Sequence, residues 1–149
     1  MVKQSDILNR VKSILENDFP THPVYINKCP DDFLRPSFLL KLIKVSQVDI
    51  NRMSIEKTAN YMVTCYSSLD EYFIPNAEVL IELQDSVMSL FSNGHIGIGN
   101  RAIKIKTITG TMEEDRTNVE LQFEYTDNRT DQENILTFMQ SVNTKIEEV

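Results

Sequence analysis

The side chains that most often carry catalysis are few in this sequence, and they lie far apart. Its two histidines, His22 and His95, both fall in segments that we expect to be turns. A hydrolase of the nucleophile, base and acid type needs a histidine near an activated serine or cysteine, and no serine here stands in a nucleophile-elbow pattern. Cys29 and Cys65 have neither a local cue for thiolate activation nor the spacing of a metal site or disulfide framework. We therefore expect two free thiols, no catalytic residue and no enzyme.

Three glycines, Gly94, Gly97 and Gly99, invite comparison with a phosphate-binding loop. Such loops run from a strand into a helix, so that the N-terminus of the helix meets the anion. Here the order is helix into strand, and the glycine spacing is reversed relative to the dinucleotide fingerprint. The segment 94–99 therefore predicts a flexible turn in which Gly94 caps the preceding helix, and we expect no cofactor.

Acidic residues cluster at several places where they could in principle bind a hard cation. None of these clusters offers the alternating oxygen ligands of a calcium loop, and in the segment 127–131 the third position is Arg129, which repels a cation. We expect a helix start at 127–131, solvated loop charges elsewhere, and no metal site. The clusters outside that segment are Asp31-Asp32, Asp70-Glu71 and Glu113-Glu114-Asp115.

The composition is that of a folded, acidic protein. A chain of 149 residues and 17.2 kDa fits a single domain, which we assign to residues 1–149. Hydrophobic residues make up 41% and charged residues 25%, which is enough apolar surface to offset chain entropy. The formal net charge of −7 opposes phosphate groups, and the basic residues form no stripe, so we expect no sequence-specific nucleic-acid binding.

No segment of the sequence predicts a membrane span or a secretory signal. The longest apolar stretch, Phe38 to Ile43, is interrupted by Lys41 and is far shorter than the roughly 20 residues needed to cross a bilayer. The first residues turn polar at once and contain no apolar run with a cleavage site. We expect the chain to remain in the cell that makes it, without membrane association.

Three segments have apolar residues at helical spacing. In the first, from Ser5 to Asn17, Ser5 is the expected N-cap. The second follows Pro75 and ends before Gly94. The third opens with the capping-box pattern of residues 130–133, and we assign residues 127–149 to a C-terminal helical extension. Its apolar stripe consists of Ile135, Leu136, Met139, Val142 and Ile146.

Five segments are rich in strand formers, and the residues between them predict the connections. The segments 47–56 and 109–116 are expected to be connections, the second a hairpin with an exposed acidic tip. The element order is α-β-β-β-α-β-β-α, which predicts an α+β fold with an antiparallel or mixed sheet of about five strands and helices packed on one face. The strands are 24–26, of edge type, 37–48, 58–66, 102–108 and 118–125.

The tripeptide Arg35-Pro36-Ser37 combines a cation, a residue with a fixed φ angle and a small polar residue directly before the long strand. Two interpretations remain open for it. It can fix the path of the loop where the strand begins, or Arg35 can contact another subunit in an assembly.

The stretch Phe33-Leu34-Arg35-Pro36-Ser37-Phe38-Leu39, together with the element order around it, resembles the tail terminator (tail completion) family of long-tailed phages. That family includes proteins of prophage-derived and bacteriocin-like tails. The resemblance covers about residues 5–126. It departs from the family in residues 127–149, because the family resemblance implies a chain that ends near its closing strand.

The resemblance implies a structural protein that forms a ring, expected to be hexameric, on the head-proximal end of a tail tube. Such a ring stops polymerisation of the tube and offers a surface to the neck. The implied partners are other copies of the chain, the tube protein, and with them sheath and head-completion or neck proteins. The implied location is the host bacterial cytoplasm during assembly and then the tail or neck of the particle.

Loops on a rigid sheet commonly carry contacts, so the polar loops supply the candidate contact residues. Two alternatives to a tail terminator stay open, namely a head-tail neck adaptor or stopper, and a regulatory α+β domain that binds a small ligand between sheet and helices. The candidate contacts are Arg35, Asp49, Asn51, Arg52, Asp70, Glu71, Glu113, Glu114 and Asp115.

Overall fold

Alternation of apolar and polar side chains along the strands produces one mixed sheet with a buried face. The computed structural model describes residues 2–128. Its elements are α1 (Gln4–Asp18), β1 (Val24–Ile26), β2 (Ser37–Asp49), β3 (Ser54–Tyr66), α2 (Ala77–Leu90), β4 (His95–Ile98), β5 (Arg101–Met112) and β6 (Thr117–Asn128).

The strands lie in the order β1-β2-β3-β6-β5-β4. The pair β1 and β2 is parallel, and the other neighbouring pairs are antiparallel. The expected α+β class and mixed sheet are confirmed, with six strands in place of about five. The expected third helix lies outside the described residues.

Both described helices cover the same face of the sheet, as predicted. Alternate side chains of β3 and β6 point to this face, and Tyr61 and Phe123 meet there edge to face with ring centroids 5.7 Å apart. Burial of one such aromatic side chain contributes roughly 1.5–3 kcal/mol, so this face holds most of the folding energy. The helices contribute Ile7, Val11 and Leu15 from α1, and Leu83 and Val87 from α2.

The start of α1 differs from the prediction. Ser5 lies inside the helix, and Lys3 is the N-cap, with its backbone N–H donating to Asp6 Oδ2 at 3.0 Å. The N–H of Val2 donates to Asp127 Oδ2 at 3.0 Å, in a buried bond to the last part of β6. Because this contact spans the whole described chain, local sequence could not indicate where the helix begins.

The prediction of a flexible turn at residues 94–99 is wrong. Residues His95–Ile98 form β4, which pairs with the start of β5, and Ile96 is buried in the core. Glycines are poor strand formers, so the sequence did not indicate this four-residue strand, which is held in place by pairing with β5. The C-cap of α2 is Phe91 rather than Gly94, which follows with a φ of +86°.

The two predicted connections are shorter than expected. Only residues 50–53 and 113–116 lie outside the strands, because β2, β3, β5 and β6 continue well into the segments 47–56 and 109–116. Polar residues do not prevent pairing here, since one side of these strands faces solvent. Strand β6 also continues to Asn128, two residues into the segment assigned to the C-terminal extension.

Candidate functional site

The candidate contact residues fall at two opposite ends of the sheet. Strand β3 runs for 13 residues between these ends, which is about 40 Å at the usual rise per residue. We call the end with the turn 50–53 the hairpin end, and the end with the loop 67–76 and the turn 113–116 the loop end. Asp49, Asn51 and Arg52 lie at the hairpin end, whereas Arg35, Asp70, Glu71, Glu113, Glu114 and Asp115 lie at the loop end.

At the loop end, Arg35 is engaged by its own chain. Its guanidinium carbon lies 4.8 Å from the ring centroid of Phe33 and 5.3 Å from that of Tyr66, and Nη1 donates to the carbonyl of Ser67 at 3.3 Å. The peptide bond between Arg35 and Pro36 is cis. These contacts favour the interpretation that Arg35 fixes the loop where β2 begins.

Arg116 completes this cluster from the β5–β6 turn. It donates from Nη1 to the hydroxyl of Tyr66 at 3.2 Å and from Nε and Nη2 to Asp115 at 2.9 and 2.8 Å. The hydrogen bond from Arg116 lowers the pKa of Asp115 below its ordinary value. Glu113 accepts from Asn118 at 3.1 Å. The acidic tip that we expected to be solvated is therefore partly bound to its own chain.

The loop 67–76 is held from within by Asp70. One carboxylate oxygen, Oδ1, accepts the backbone N–H groups of Tyr72 at 2.8 Å and Ile74 at 2.9 Å. Phe73 between them has a φ of +62°, a conformation that L-residues adopt rarely. The side chains of Tyr72 and Phe73 are 73% and 79% exposed, so this loop presents two aromatic rings to solvent while Glu71 stays at the surface.

A mainly apolar cleft of about 540 Å³ lies beside this loop. His22 lines it, and partial burial lowers the pKa of this imidazole. The ring of His22 stacks on Phe38 with centroids 5.5 Å apart, so the histidine is part of the packing. The other lining residues include Pro36, Leu69, Asp70, Ile74, Val79 and Leu83.

The hairpin end differs from the loop end, because β2 extends beyond the short strand β1 that pairs with it. Strand β1 pairs with β2 only at Phe38, Leu39 and Leu40. From Lys41 to Asp49, no strand within residues 2–128 lies on the outer side of β2. Large apolar side chains are exposed along this stretch and the following turn, namely Leu42, Ile43, Val45, Val48 and Ile50.

The turn 50–53 is ordered by Asn51. Its Oδ1 accepts the backbone N–H groups of Met53 at 2.8 Å and Ser54 at 3.0 Å. This bonding closes the β2–β3 hairpin, so Asn51 has a role within the chain, and Arg52 beside it is exposed.

The two thiols show no activation. Cys65 is a free, buried thiol, and burial raises its pKa to about 12. Burial also raises the pKa of Cys29, although Lys41, Arg116 and Arg35 oppose the effect. Among residues 2–128, no group of three or more His, Cys, Asp and Glu side chains is arranged to hold a metal ion. No helix in the same range is long and apolar enough to span a membrane.

A protein-family model described as phage tail terminator protein matches residues 6–135, which is most of the chain. The chain belongs to the phage tail terminator family. The resemblance seen at Phe33–Leu39 is thereby confirmed, and the tail terminator has a structural role in a phage tail. The match extends past residue 126, where we had ended the resemblance. No curated protein matches the chain.

Sequence reasoning missed several residues that shape the two ends of this tail terminator. Tyr66 and Arg116 build the loop-end cluster, and neither was a candidate. The run Tyr72-Phe73-Ile74 carried a usable signal, because three consecutive large apolar residues between two regular elements are unusual in a solvated loop. The sequence predicted a three-residue first strand and a long second strand, but not that these two strands pair.

Proposed function

We propose that this tail terminator forms a ring, expected to contain six copies, on the head-proximal end of the tail tube. The ring ends polymerisation of the tube and provides the surface that joins the neck. One observation carries the proposal: a member of a tail terminator family has an open β2 edge from Lys41 to Asp49 with exposed apolar side chains.

An open strand edge presents unpaired backbone N–H and C=O groups, which can pair with a strand of another chain. The exposed side chains of Val48, on the same stretch, and Ile50, directly after it, add roughly 25 cal/mol for each Å² that a partner buries. A ring of identical chains needs a heterologous contact, in which one surface meets a different surface on the next copy. The hairpin end and the loop end supply two such different surfaces.

The proposed partners beyond other copies are the tube protein and, around it, sheath and head-completion or neck proteins. The loop end has the rigid aromatic side chains that often anchor protein contacts, with Tyr72 and Phe73 exposed beside the charged Glu71. The net charge of −7 disfavours adhesion of DNA that passes through such a ring. The protein acts without catalysis or a cofactor, and it is made in the host bacterial cytoplasm before it joins the tail.

Native mass spectrometry and single-particle imaging, with and without assembled tail tubes, test this function. We expect rings of six copies and tubes that carry one ring at one end and no longer elongate. A protein that stays monomeric, ignores the tubes and leaves their growth unchanged overturns the proposal. A head-tail adaptor or stopper differs in place, since labelled protein would then be found on the head side of the neck.

The cleft beside the loop 67–76 supports a second candidate, a regulatory domain that binds a small ligand. Its mainly apolar lining, which includes His22 and Asp70, is the kind of site that an apolar molecule with one polar group can enter. This candidate predicts a rise in melting temperature with members of a small-molecule library and no ring. Absence of any thermal shift, with rings present, decides for the tail terminator.

A further inference from the structure

The described chain ends beside an uncovered part of the sheet. Strand β6 ends at Asn128, which pairs with Ser54 at the start of β3. Asn128 therefore lies at the hairpin end, and the segment 129–149 follows it in the chain. Only β3 lies between β6 and β2, so the segment begins about 10 Å from β2, given the usual spacing of neighbouring strands.

The uncovered surface lies on the face of the sheet that carries the helices. Leu42 pairs with Tyr61 and Val45 pairs with Ala59, and directly paired side chains share a face. Tyr61 and Ala59 are completely buried, whereas Leu42 and Val45 are each 41% exposed. Within residues 2–128 the helical layer therefore stops short of the outer part of β2.

The segment 129–149 has the pattern and length to extend this layer. Its apolar residues recur at helical spacing from Ile135 to Ile146. A helix over residues 131–148 would be about 27 Å long. The outer part of β2, from Lys41 to Asp49, spans about the same distance at the rise of a strand.

The net charges of the two parts have opposite signs. Residues 41–57 contain four basic and two acidic side chains, whereas residues 129–149 contain four acidic and two basic ones. Attraction between such groups acts over about 10 Å at ordinary salt, which matches the separation at Asn128. The acidic set is Asp131, Glu133, Glu147 and Glu148. Of the basic set, Lys57 shares the helix-bearing face and Arg52 lies in the turn, whereas Lys41 and Lys44 lie on the opposite face of β2.

We propose that residues 129–149 form a third helix that packs on the helix-bearing face of β2 in the same chain, over Leu42 and Val45. The family match ends at residue 135, so most of this helix lies outside the part shared with the family. The helix covers the exposed face of β2 and leaves its outer backbone edge accessible. The inference does not depend on ring formation, and it gives the C-terminal extension a defined place.

Cysteine cross-linking in the full-length chain tests this packing. In a Cys29→Ser background, Val45→Cys is combined in turn with Ile135→Cys, Met139→Cys or Val142→Cys. A disulfide needs Cα atoms within about 7 Å, so we expect at least one pair to form an intrachain disulfide under mild oxidation. Peptide mapping by mass spectrometry identifies the bond, and non-reducing gels separate intrachain from interchain products.

Two control variants place a cysteine on the face that should point away from the proposed contact. Thr137→Cys lies opposite the apolar stripe of the expected helix, and Ser46→Cys lies on the opposite face of β2 from Val45. We expect roughly tenfold less cross-linking when Thr137→Cys replaces the cysteine of the apolar stripe or Ser46→Cys replaces Val45→Cys, because the thiols then point apart. Equal yields with the controls, no intrachain product in any pair, or only interchain product each overturn the proposal.

A second measurement does not use thiols. Met139→Asp places a charge in the apolar stripe, whereas Thr137→Asp adds the same charge on the opposite side of the expected helix. We expect Met139→Asp to raise the fluorescence of a dye that binds exposed apolar surface by severalfold, at unchanged circular dichroism of the sheet, and Thr137→Asp to leave the fluorescence unchanged. Equal fluorescence in both variants counts against the packing.

Discussion

The two ends of the sheet differ in which side chains are bonded within the chain and in whether a strand edge is open. At the loop end, Arg35 and Arg116 lie against the same ring of Tyr66, and Asp115 is bonded to one of them. At the hairpin end, β2 extends beyond β1 with apolar side chains in solvent and an outer edge that no described strand covers. The two arginines of the loop end are thus held within the chain, although this end also exposes Tyr72 and Phe73, whereas the hairpin end combines exposed apolar side chains with an open strand edge.

This difference shows that polar loop residues are poor guides to contacts with other chains. Asp70, Asn51 and Asp115 all stood out in the sequence as surface charges or amides, yet each bonds to backbone or side chains of its own loop. The apolar residues of β2 were not among the candidate contacts, yet several of them are exposed. An assembly needs surface that is exposed and costly to leave exposed, and such surface lies both along the outer part of β2 and in the run Tyr72-Phe73-Ile74.

The two ends should differ most in how much a substitution there changes the free energy of unfolding. Arg116→Ala removes charge-assisted hydrogen bonds and leaves the Tyr66 hydroxyl and Asp115 without this partner, so we expect a loss of about 2 kcal/mol. Arg52→Ala at the hairpin end should change the free energy of unfolding by less than about 0.5 kcal/mol. Urea denaturation of both variants measures the difference. Equal losses would show that the two ends are not distinguished in this way.

Self-association of the chain should instead be more sensitive to a substitution at the hairpin end. Val48→Lys adds a charge to the open strand, and lysine on an edge strand opposes pairing with another chain. We expect roughly tenfold weaker self-association, equivalent to about 1.4 kcal/mol, with the free energy of unfolding unchanged. Analytical ultracentrifugation measures the association constant.

The matched control for Val48→Lys is Ile81→Lys on α2, which places the same charge at another exposed apolar side chain away from the β2 edge. We expect this variant to associate like the unchanged protein. If Ile81→Lys is as damaging as Val48→Lys, the β2 edge has no special part in assembly.

A smaller effect is expected in the aromatic loop. Asp70→Ala removes the acceptor of two backbone N–H groups, each hydrogen bond contributing about 1 kcal/mol at most in this exposed position. Hydrogen exchange at Tyr72 and Ile74 should accelerate about fivefold, as expected for a local change of about 1 kcal/mol. Glu71→Ala serves as the control and should leave both rates unchanged. Similar acceleration in the control would mean that Asp70 does not order the loop.

The smallest effect is the pH dependence of the Asp115–Arg116 pair. Because Arg116 lowers the pKa of Asp115, the pair stabilises the folded state above the ordinary pKa of an aspartate, and this contribution is lost as the pH falls through the lowered value. Carboxyl NMR titration should show a midpoint below the ordinary range. In Arg116→Ala the midpoint should return towards that range, and an unchanged midpoint would contradict the assigned cause.

Much of the fold was predictable because its signals are local. The apolar stripe of α2 has the period of a helix, and the alternation along β6 has the period of a strand, so each predicts both an element and its buried face. Both elements are present in the expected parts of the chain. The motif around Arg35-Pro36 was sufficient to indicate the family. Only loosely predictable were the boundaries, since β2 and β3 continue through polar residues whose order comes from pairing with each other.

The sequence alone determined the apolar stripe of α2, the alternation of β6, the α+β class and the family, because periodicity and a short motif are properties of neighbouring residues. Tertiary structure decided that residues 95–98 form a strand, that α1 begins at Gln4, and that Arg35 and Arg116 share one aromatic ring. It also decided that β1 pairs with β2, and only at Phe38, Leu39 and Leu40. Each of these depends on residues that are distant in the chain, and their proximity comes from packing the whole sheet against its helices.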